Sequence, residues 1–442
     1  MKHPFTHGDP SPVAARSQTV RCVLAIDTQE FGRGERTMAD LQEIDRLIEH
    51  SSLGAEAAKS LRDRTPTDAV RPILDRADSL DHDPFTVGIE ILPYELIGVL
   101  TDHHGVVCGR RRWSLPSMAV DTVVEHVAKV AKDLTVTSLG VDLPHRSIGI
   151  GLQIGGPVDT RTGTVISYSN HPTDPTTRKP HTGYRWPRVK LAELVEKATG
   201  CRTVLENDAN AYAVYEHMFG VGREVGSSAV IIIHDGVGCG MIVDGKLLPG
   251  PLEFGHMVVW PDGRECDCGN RGDIESQAGR RAMRAVVREL TQTSTDLEWE
   301  AAVKLAQGEG DQADTALRAF ELAGESIARG IATLLTLHGL PRVVIYGPEV
   351  LVESGRGNRV ADAFMAAADT FSDYAFHAVP RCELVARPMR PTDGAHGVAL
   401  IALQRLFSVR LTSNSPKWSA SNDLDSPSPR RETPSDRAGY RS

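Results

Sequence analysis

Thr203-Val204-Leu205-Glu206-Asn207-Asp208-Ala209-Asn210 is the stretch that decides the fold class. Thr203–Leu205 is a short β-prone run, and Asn207-Asp208 is a pair suited to opening a helix, so a strand passes directly into a helix here. A carboxylate and an amide at the carboxyl end of a strand project into the crevice where α/β proteins hold their ligands. There they can grip the vicinal hydroxyls of a polyol, and Asp208 can take the proton from a sugar hydroxyl during phosphoryl transfer. An ordinary helix cap is the competing reading, since the same residue types favour that position.

On the N-terminal side, residues 87–116 (VGIEILPYELIGVLTDHHGVVCGRRRWSLP) read as three strands, with His103-His104-Gly105 at a hairpin tip. Residues 120–134 follow as an amphipathic helix, 147–156 (SIGIGLQIGG) as a buried strand, and 191–200 (LAELVEKATG) as a helix closed by Gly200. On the C-terminal side, residues 227–250 alternate strand with glycine turn, 276–338 are Ala- and Leu-rich and helical, and 342–350 return to a strand. Strands interleaved with helices in this order predict an α/β fold with central sheets.

The flanks differ. Residues 1–20 read as a flexible lead, and Leu41, Ile44, Leu47 and Ile48 fall at helical spacing within 38–78. This N-terminal segment is compatible with a worn DNA-binding winged helix or with a helical cap; its slight acidic excess and Pro72 argue for the cap. Residues 410–442 are polar, Pro- and Ser-rich, and read as a disordered tail.

Composition bounds the rest. The 442 residues are enough for two or three domains, and the net charge of −9 gives no overall footprint for nucleic acid. No apolar run is long enough to cross a bilayer, and MKHPFTHGDPSPVAAR lacks the apolar core of a secretory signal, so a cytoplasmic protein with no membrane partner is expected. The seven cysteines are odd in number and mostly scattered, which argues against a disulfide framework. Only Cys266 and Cys268 look arranged. They follow Glu253-Phe254-Gly255-His256 by about ten residues in a glycine-rich loop, and two thiolates with an imidazole suit a tetrahedral structural zinc.

Glu206-Asn207-Asp208-Ala209-Asn210, then Glu253-x-Gly255-His256, then Cys266-x-Cys268-Gly269-x-x-Gly272-x-x-Glu275 resemble, in order and spacing, the ROK family of repressors, open reading frames and sugar kinases. The resemblance covers about 87–406. It implies a two-lobed actin- or hexokinase-like fold, with a smaller lobe over 86–205 completed by a helix near 393–408, and a larger lobe over 206–390. It further implies that Asn207, Asp208, Glu253, His256 and Glu275 contact sugar hydroxyls, with Asp208 as the base, and that Gly155-Gly156-Pro157 forms the turn beside the sugar. The family zinc is held by residues matching His256, Cys266, Cys268 and a third cysteine. That last position is Asp273 here, and an aspartate oxygen can also ligate zinc.

The nucleotide positions depart from the kinase pattern. The first hairpin of the family kinases reads roughly Asp-x-Gly-Gly-Thr, and this chain has Glu90-Ile91-Leu92-Pro93-Tyr94. Pro93 has no N–H to offer a phosphate, and Leu92 and Tyr94 fill space that a phosphate would need. The second hairpin keeps Gly236, Gly238 and Gly240 but carries Asp235 in place of a threonine, a carboxylate that repels polyphosphate unless a cation screens it. Gly347-Pro348 replaces a third, Gly-Gly turn. These departures argue against Mg-ATP and for a carbohydrate-responsive transcriptional regulator, binding a monosaccharide or sugar phosphate as a homodimer or homotetramer. An ATP-dependent hexose or N-acetylhexosamine kinase is the alternative, and a structural or interaction protein the third reading.

Overall fold

The computed structural model describes residues 83–170, 184–250, 252–294, 297–355 and 357–409, so the expected helical segment within 38–78 and the tail 410–442 lie outside the described residues. Within them the order of elements follows the hydropathy pattern closely. β1 (Phe85–Leu92), β2 (Glu95–Thr101) and β3 (Val107–Ser114) form an antiparallel meander, followed by α1 (Val120–Leu139) and β4 (Ile148–Ile154). Two small hairpins come next, β5 (Val158–Asp159) with β6 (Thr164–Val165) and β7 (Tyr168–Asn170) with β8 (Tyr184–Trp186). Then α2 (Leu191–Thr199) ends at Gly200, whose φ of 70° is the left-handed cap expected there, and β9 (Thr203–Asn207) closes this half.

The second half runs α3 (Asp208–Phe219), β10 (Ser228–Ile233), β11 (Val237–Val243), β12 (Lys246–Leu247), α4 (Glu275–Ala278), α5 (Arg280–Leu290), α6 (Trp299–Gln307) and α7 (Asp311–His338). It finishes with β13 (Arg342–Gly347), α8 (Glu349–Val352), α9 (Arg359–Ala368), β14 (Glu383–Pro388) and α10 (Asp393–Phe407).

One plan is used twice. The first sheet has the order β3-β2-β1-β4-β9 and the second β12-β11-β10-β13-β14, each an antiparallel three-strand meander extended by two parallel strands. β1 and β4, at the middle of the first sheet, are buried along nearly their whole length, as expected when helices cover both faces. α1 and α2 cover one face of it and α10 the other. The second sheet packs Ile231, Ile233, Val343 and Ile345 against Phe320, Ile327 and Ile331 of α7. Each such buried side chain contributes about 1.5–3 kcal/mol.

Between the sheets lie α3 and α10, which join them. α3 packs Ala209, Tyr212 and Ala213 on Val230, Ile232, Val344 and Tyr346 of the second sheet, while Ala211 meets Val398 and Ile401 of α10. The approach is so close that a Cβ on Gly397 would lie 1.9 Å from the Ala211 carbonyl oxygen, and one on Gly88 of β1 would lie 1.9 Å from that of Ala395. The start of α3 therefore sits where both sheets direct the carboxyl ends of their parallel strands.

Candidate functional site

Asn207 is the N-cap of α3. Its Oδ1 accepts the Ala209 N–H at 3.0 Å and the Asn210 N–H at 3.4 Å, and its Nδ2 donates to the Gly156 carbonyl at 3.1 Å. The helix-cap reading is thus realised, and the same residue ties α3 to the turn after β4. Gly156 takes φ +87°, and a Cβ on Gly155 would lie 3.1 Å from Asp208 Oδ2, so this turn leaves its space to the Asp208 carboxylate. Asp208 Oδ1 also accepts the Ala209 N–H at 2.8 Å. Burial, reinforced by the nearby Glu253 carboxylate, pushes the Asp208 carboxyl up to about 6. Beneath it, buried Glu206 accepts from Asn207 N–H and Asn210 Nδ2, both at 2.9 Å, and its second oxygen meets Arg405 of α10 at 2.5 Å.

The second motif folds onto the same place. Glu253 is exposed at the start of a short 3₁₀ turn over Phe254–His256, and Glu275 opens α4. Glu275 Oε2 accepts the Val237 N–H at 2.9 Å, and a Cβ on Gly236 would lie 2.4 Å from that oxygen, which is why the β10–β11 turn carries glycine there. Burial raises the Glu275 carboxyl above its ordinary value. His256 feels both Glu275 and Glu253, which places these three with Asp208 in one acidic neighbourhood.

His256, Cys266, Cys268 and Asp273 converge beside it, their ligand atoms all within 4.8 Å of one another. His256 Nδ1 is 3.1 Å from Asp273 Oδ2 and 3.7 Å from Cys266 Sγ, and the Cys268 thiol lies 3.4 Å from the same Asp273 oxygen. Tetrahedral bonds of about 2.0–2.3 Å set neighbouring ligand atoms about 3.3–3.8 Å apart, so four donors of this type and spacing fit a closed metal centre.

The region matching the nucleotide hairpins is built differently. Pro93 and Tyr94 make the two-residue turn between β1 and β2, with Tyr94 at φ 63°, a conformation that ordinarily favours glycine. Glu90 is 3% exposed; its Oε1 accepts from Tyr212 Oη at 3.4 Å, while its Oε2 and both polar atoms of buried Gln153 have no partner among the described residues. Burial pushes the Glu90 carboxyl up to about 8, with Asp208 and Asp393 adding to the effect. Asp393, at the start of α10, is raised to about 7, again chiefly by burial. At the second hairpin, Arg280 Nη2 donates to Asp235 Oδ1 at 2.8 Å. Burial alone would raise Asp235, but Arg280 and His234 outweigh it and hold the carboxyl below its ordinary value. The screening that Asp235 requires thus comes from within the chain. Gly347 is buried at the end of β13, and Pro348 follows as the cap of α8.

Gln153, Tyr212, Arg280, Asp393 and Arg405 were not among the residues singled out in the sequence. Each owes its place to a neighbour distant along the chain.

The doubled α/β plan is that of the hexokinase-type fold. The structure superposes on the ROK hexokinase from Thermus thermophilus with a TM-score of 0.59 at 24% identity, covering 73% of this chain and 99% of the other. It superposes on a ROK family transcriptional regulator, a homologue of E. coli MLC, with a TM-score of 0.57 at 20% identity, covering 82% and 96%. The ROK family profile matches residues 87–405, and the chain belongs to the ROK family. Its relatives include the glucokinase of Thermotoga maritima, 28% identical over 304 residues, or 66% of this chain and 91% of the relative. They also include the xylose repressor of Caldicellulosiruptor bescii, 26% identical over 216 residues, where the match spans 46% of this chain and about half, 51%, of the repressor.

Proposed function

We propose that the chain is a carbohydrate-responsive transcriptional regulator that holds a monosaccharide or sugar phosphate between two lobes and does not use Mg-ATP. Asn207, Asp208, Glu253, His256 and Glu275 supply the acceptors and donors for sugar hydroxyls, and the Gly155-Gly156 turn leaves them room. Sugar that favours the closed arrangement of the lobes, 86–205 with 393–408 against 206–390, shifts the population toward it, and that shift is relayed to the N-terminal segment 1–85. The chain works as a homodimer or homotetramer in the cytoplasm. No helix among the described residues is long and apolar enough to cross a membrane.

The observation that carries this reading is the β1–β2 turn. Where a phosphate needs approaching N–H groups, the chain has Pro93, which has none, and Tyr94 in a left-handed conformation. Glu90 behind it keeps its proton at neutral pH and so adds no charge for a metal-bound nucleotide. Thermal shifts with a panel of sugars and sugar phosphates, with and without Mg-ATP, test the reading. A sugar should raise the Tm, nucleotide should add nothing, and Asp208→Ala should abolish the sugar effect. Gel shifts should reveal sugar-dependent DNA binding by the full chain.

A glucokinase-like activity is supported by a different observation: Asp208, raised to about 6, is poised to accept a proton near neutrality. Sugar-dependent ADP release that disappears in Asp208→Ala would establish the kinase and overturn the regulator. His256, Cys266, Cys268 and Asp273 are proposed to hold a structural zinc that braces the loop between β12 and α4; a bound zinc would supply folding energy there.

A further inference from the structure

We infer that Asp273 makes this metal centre chemically harder than a site with three thiolates, so that it discriminates less in favour of thiophilic cations. The inference rests on the zinc reading above and concerns what this chain's own fourth ligand does to it.

Asp273 is held firmly. Its side chain has 0% exposure, Oδ1 accepts the Ser276 N–H at 2.8 Å, and Ser276 Oγ returns a bond to the Asp273 carbonyl at 2.7 Å. That leaves Oδ2 to face His256 Nδ1 and Cys268 Sγ. Without a cation that oxygen accepts from the Cys268 thiol at 3.4 Å and faces His256 Nδ1 at 3.1 Å, so the carboxylate is already held in place for a metal that would displace the thiol protons. One carboxylate oxygen thus fixes the start of α4 while the other completes the ligand set, two tasks that a single thiolate sulfur serves poorly.

Charge does not separate the two kinds of site. Two thiolates and a carboxylate carry the same total charge as three thiolates, with neutral histidine in both cases. What changes is donor softness and reach, since an oxygen binds zinc at about 2.0–2.2 Å and a sulfur at about 2.3 Å. Cations that bind preferentially to sulfur, such as cadmium, lose one favourable contact out of three, while zinc and cobalt accept the exchange more readily.

Full-length chain stripped of metal and reconstituted with zinc, cadmium or cobalt provides the test. Competition between zinc and cadmium, read by elemental analysis, should give a cadmium-to-zinc preference that rises at least about tenfold in Asp273→Cys. The cobalt form should show a thiolate-to-metal absorption band whose intensity grows by about half in that variant, as two thiolates become three. Cys268→Ser, which leaves one thiolate in the natural setting, should halve the band and keeps the test open if Asp273→Cys folds poorly. Asp273→Asn keeps the shape and the Oδ1 acceptor but removes the charge, and should weaken zinc binding by tenfold or more. A wild-type chain that takes up neither zinc nor cobalt overturns the metal reading and this inference together. A metal-bearing chain whose cadmium preference and cobalt band are the same in Asp273→Cys overturns this inference alone.

Discussion

Glu90→Gln isolates a proton that folding captures. The carboxyl ordinarily titrates at 4.5, and burial in the first sheet raises it to about 8. Between these values the unfolded chain has released the proton and the folded chain keeps it. The contribution is therefore fully present below the unfolded value and is lost as pH rises through the folded one. One proton bound on folding gives a slope of at most about 1.4 kcal/mol per pH unit, so stability should fall by roughly 2 kcal/mol between about pH 6 and pH 8 from this group alone. Asp208 and Asp393 act in the same direction, being raised to about 6 and about 7, but they are common to both proteins and largely cancel in the comparison. Glutamine keeps the side-chain shape and an acceptor for Tyr212 while removing the titration. Urea unfolding midpoints at the two pH values, for wild type and variant, give the measurement. The variant should lose about half or more of the wild-type pH slope. Equal slopes would mean that Glu90 is ionised in the folded protein, and the case for a nucleotide seat without its charge would fall with it.

Two other substitutions probe the joint between the sheets. Arg405→Met removes the partner of Glu206, whose side chain is 1% exposed, and should cost about 3 kcal/mol in urea unfolding, because a carboxylate stays buried without its cation. Gly397→Ala should lower stability by about 1–3 kcal/mol, since α3 and α10 must move apart by more than a methyl group allows; a Tm equal to wild type would show the contact to be looser than described.

Much of this was legible in the sequence because the chemistry-bearing residues are local. Asn207-Asp208, Glu253-x-Gly255-His256 and Cys266-x-Cys268 each announce a turn and a reactive group within a few residues, and their spacing carries the family resemblance. Most strands of both sheets were readable from the sequence, and Gly200 as a helix stop. What stayed hidden depends on the fold. Nothing local links Glu90 to Gln153, its register partner on β4, or to Asp393 on α10, or Asp235 to Arg280 on α5, until the chain folds. β14 escaped notice for another reason: it lies at a sheet edge, and most of its residues are half-buried, so no alternation of hydropathy marks it. The fate of Asp235 shows the same limit, since its repulsion of phosphate was evident but the guanidinium that neutralises it lies 45 residues on.

The contact of α10 with β1 bears on biosynthesis. β1 is the first strand of the described fold and α10 its final helix, yet Gly88 and Ala395 meet with no room for a methyl group. One face of the earliest sheet must therefore wait, uncovered, while some three hundred further residues leave the ribosome. A stop codon or protease cut just before Asp393 would strand that greasy face in water, and the expected fate of such a fragment is capture by chaperones or aggregation.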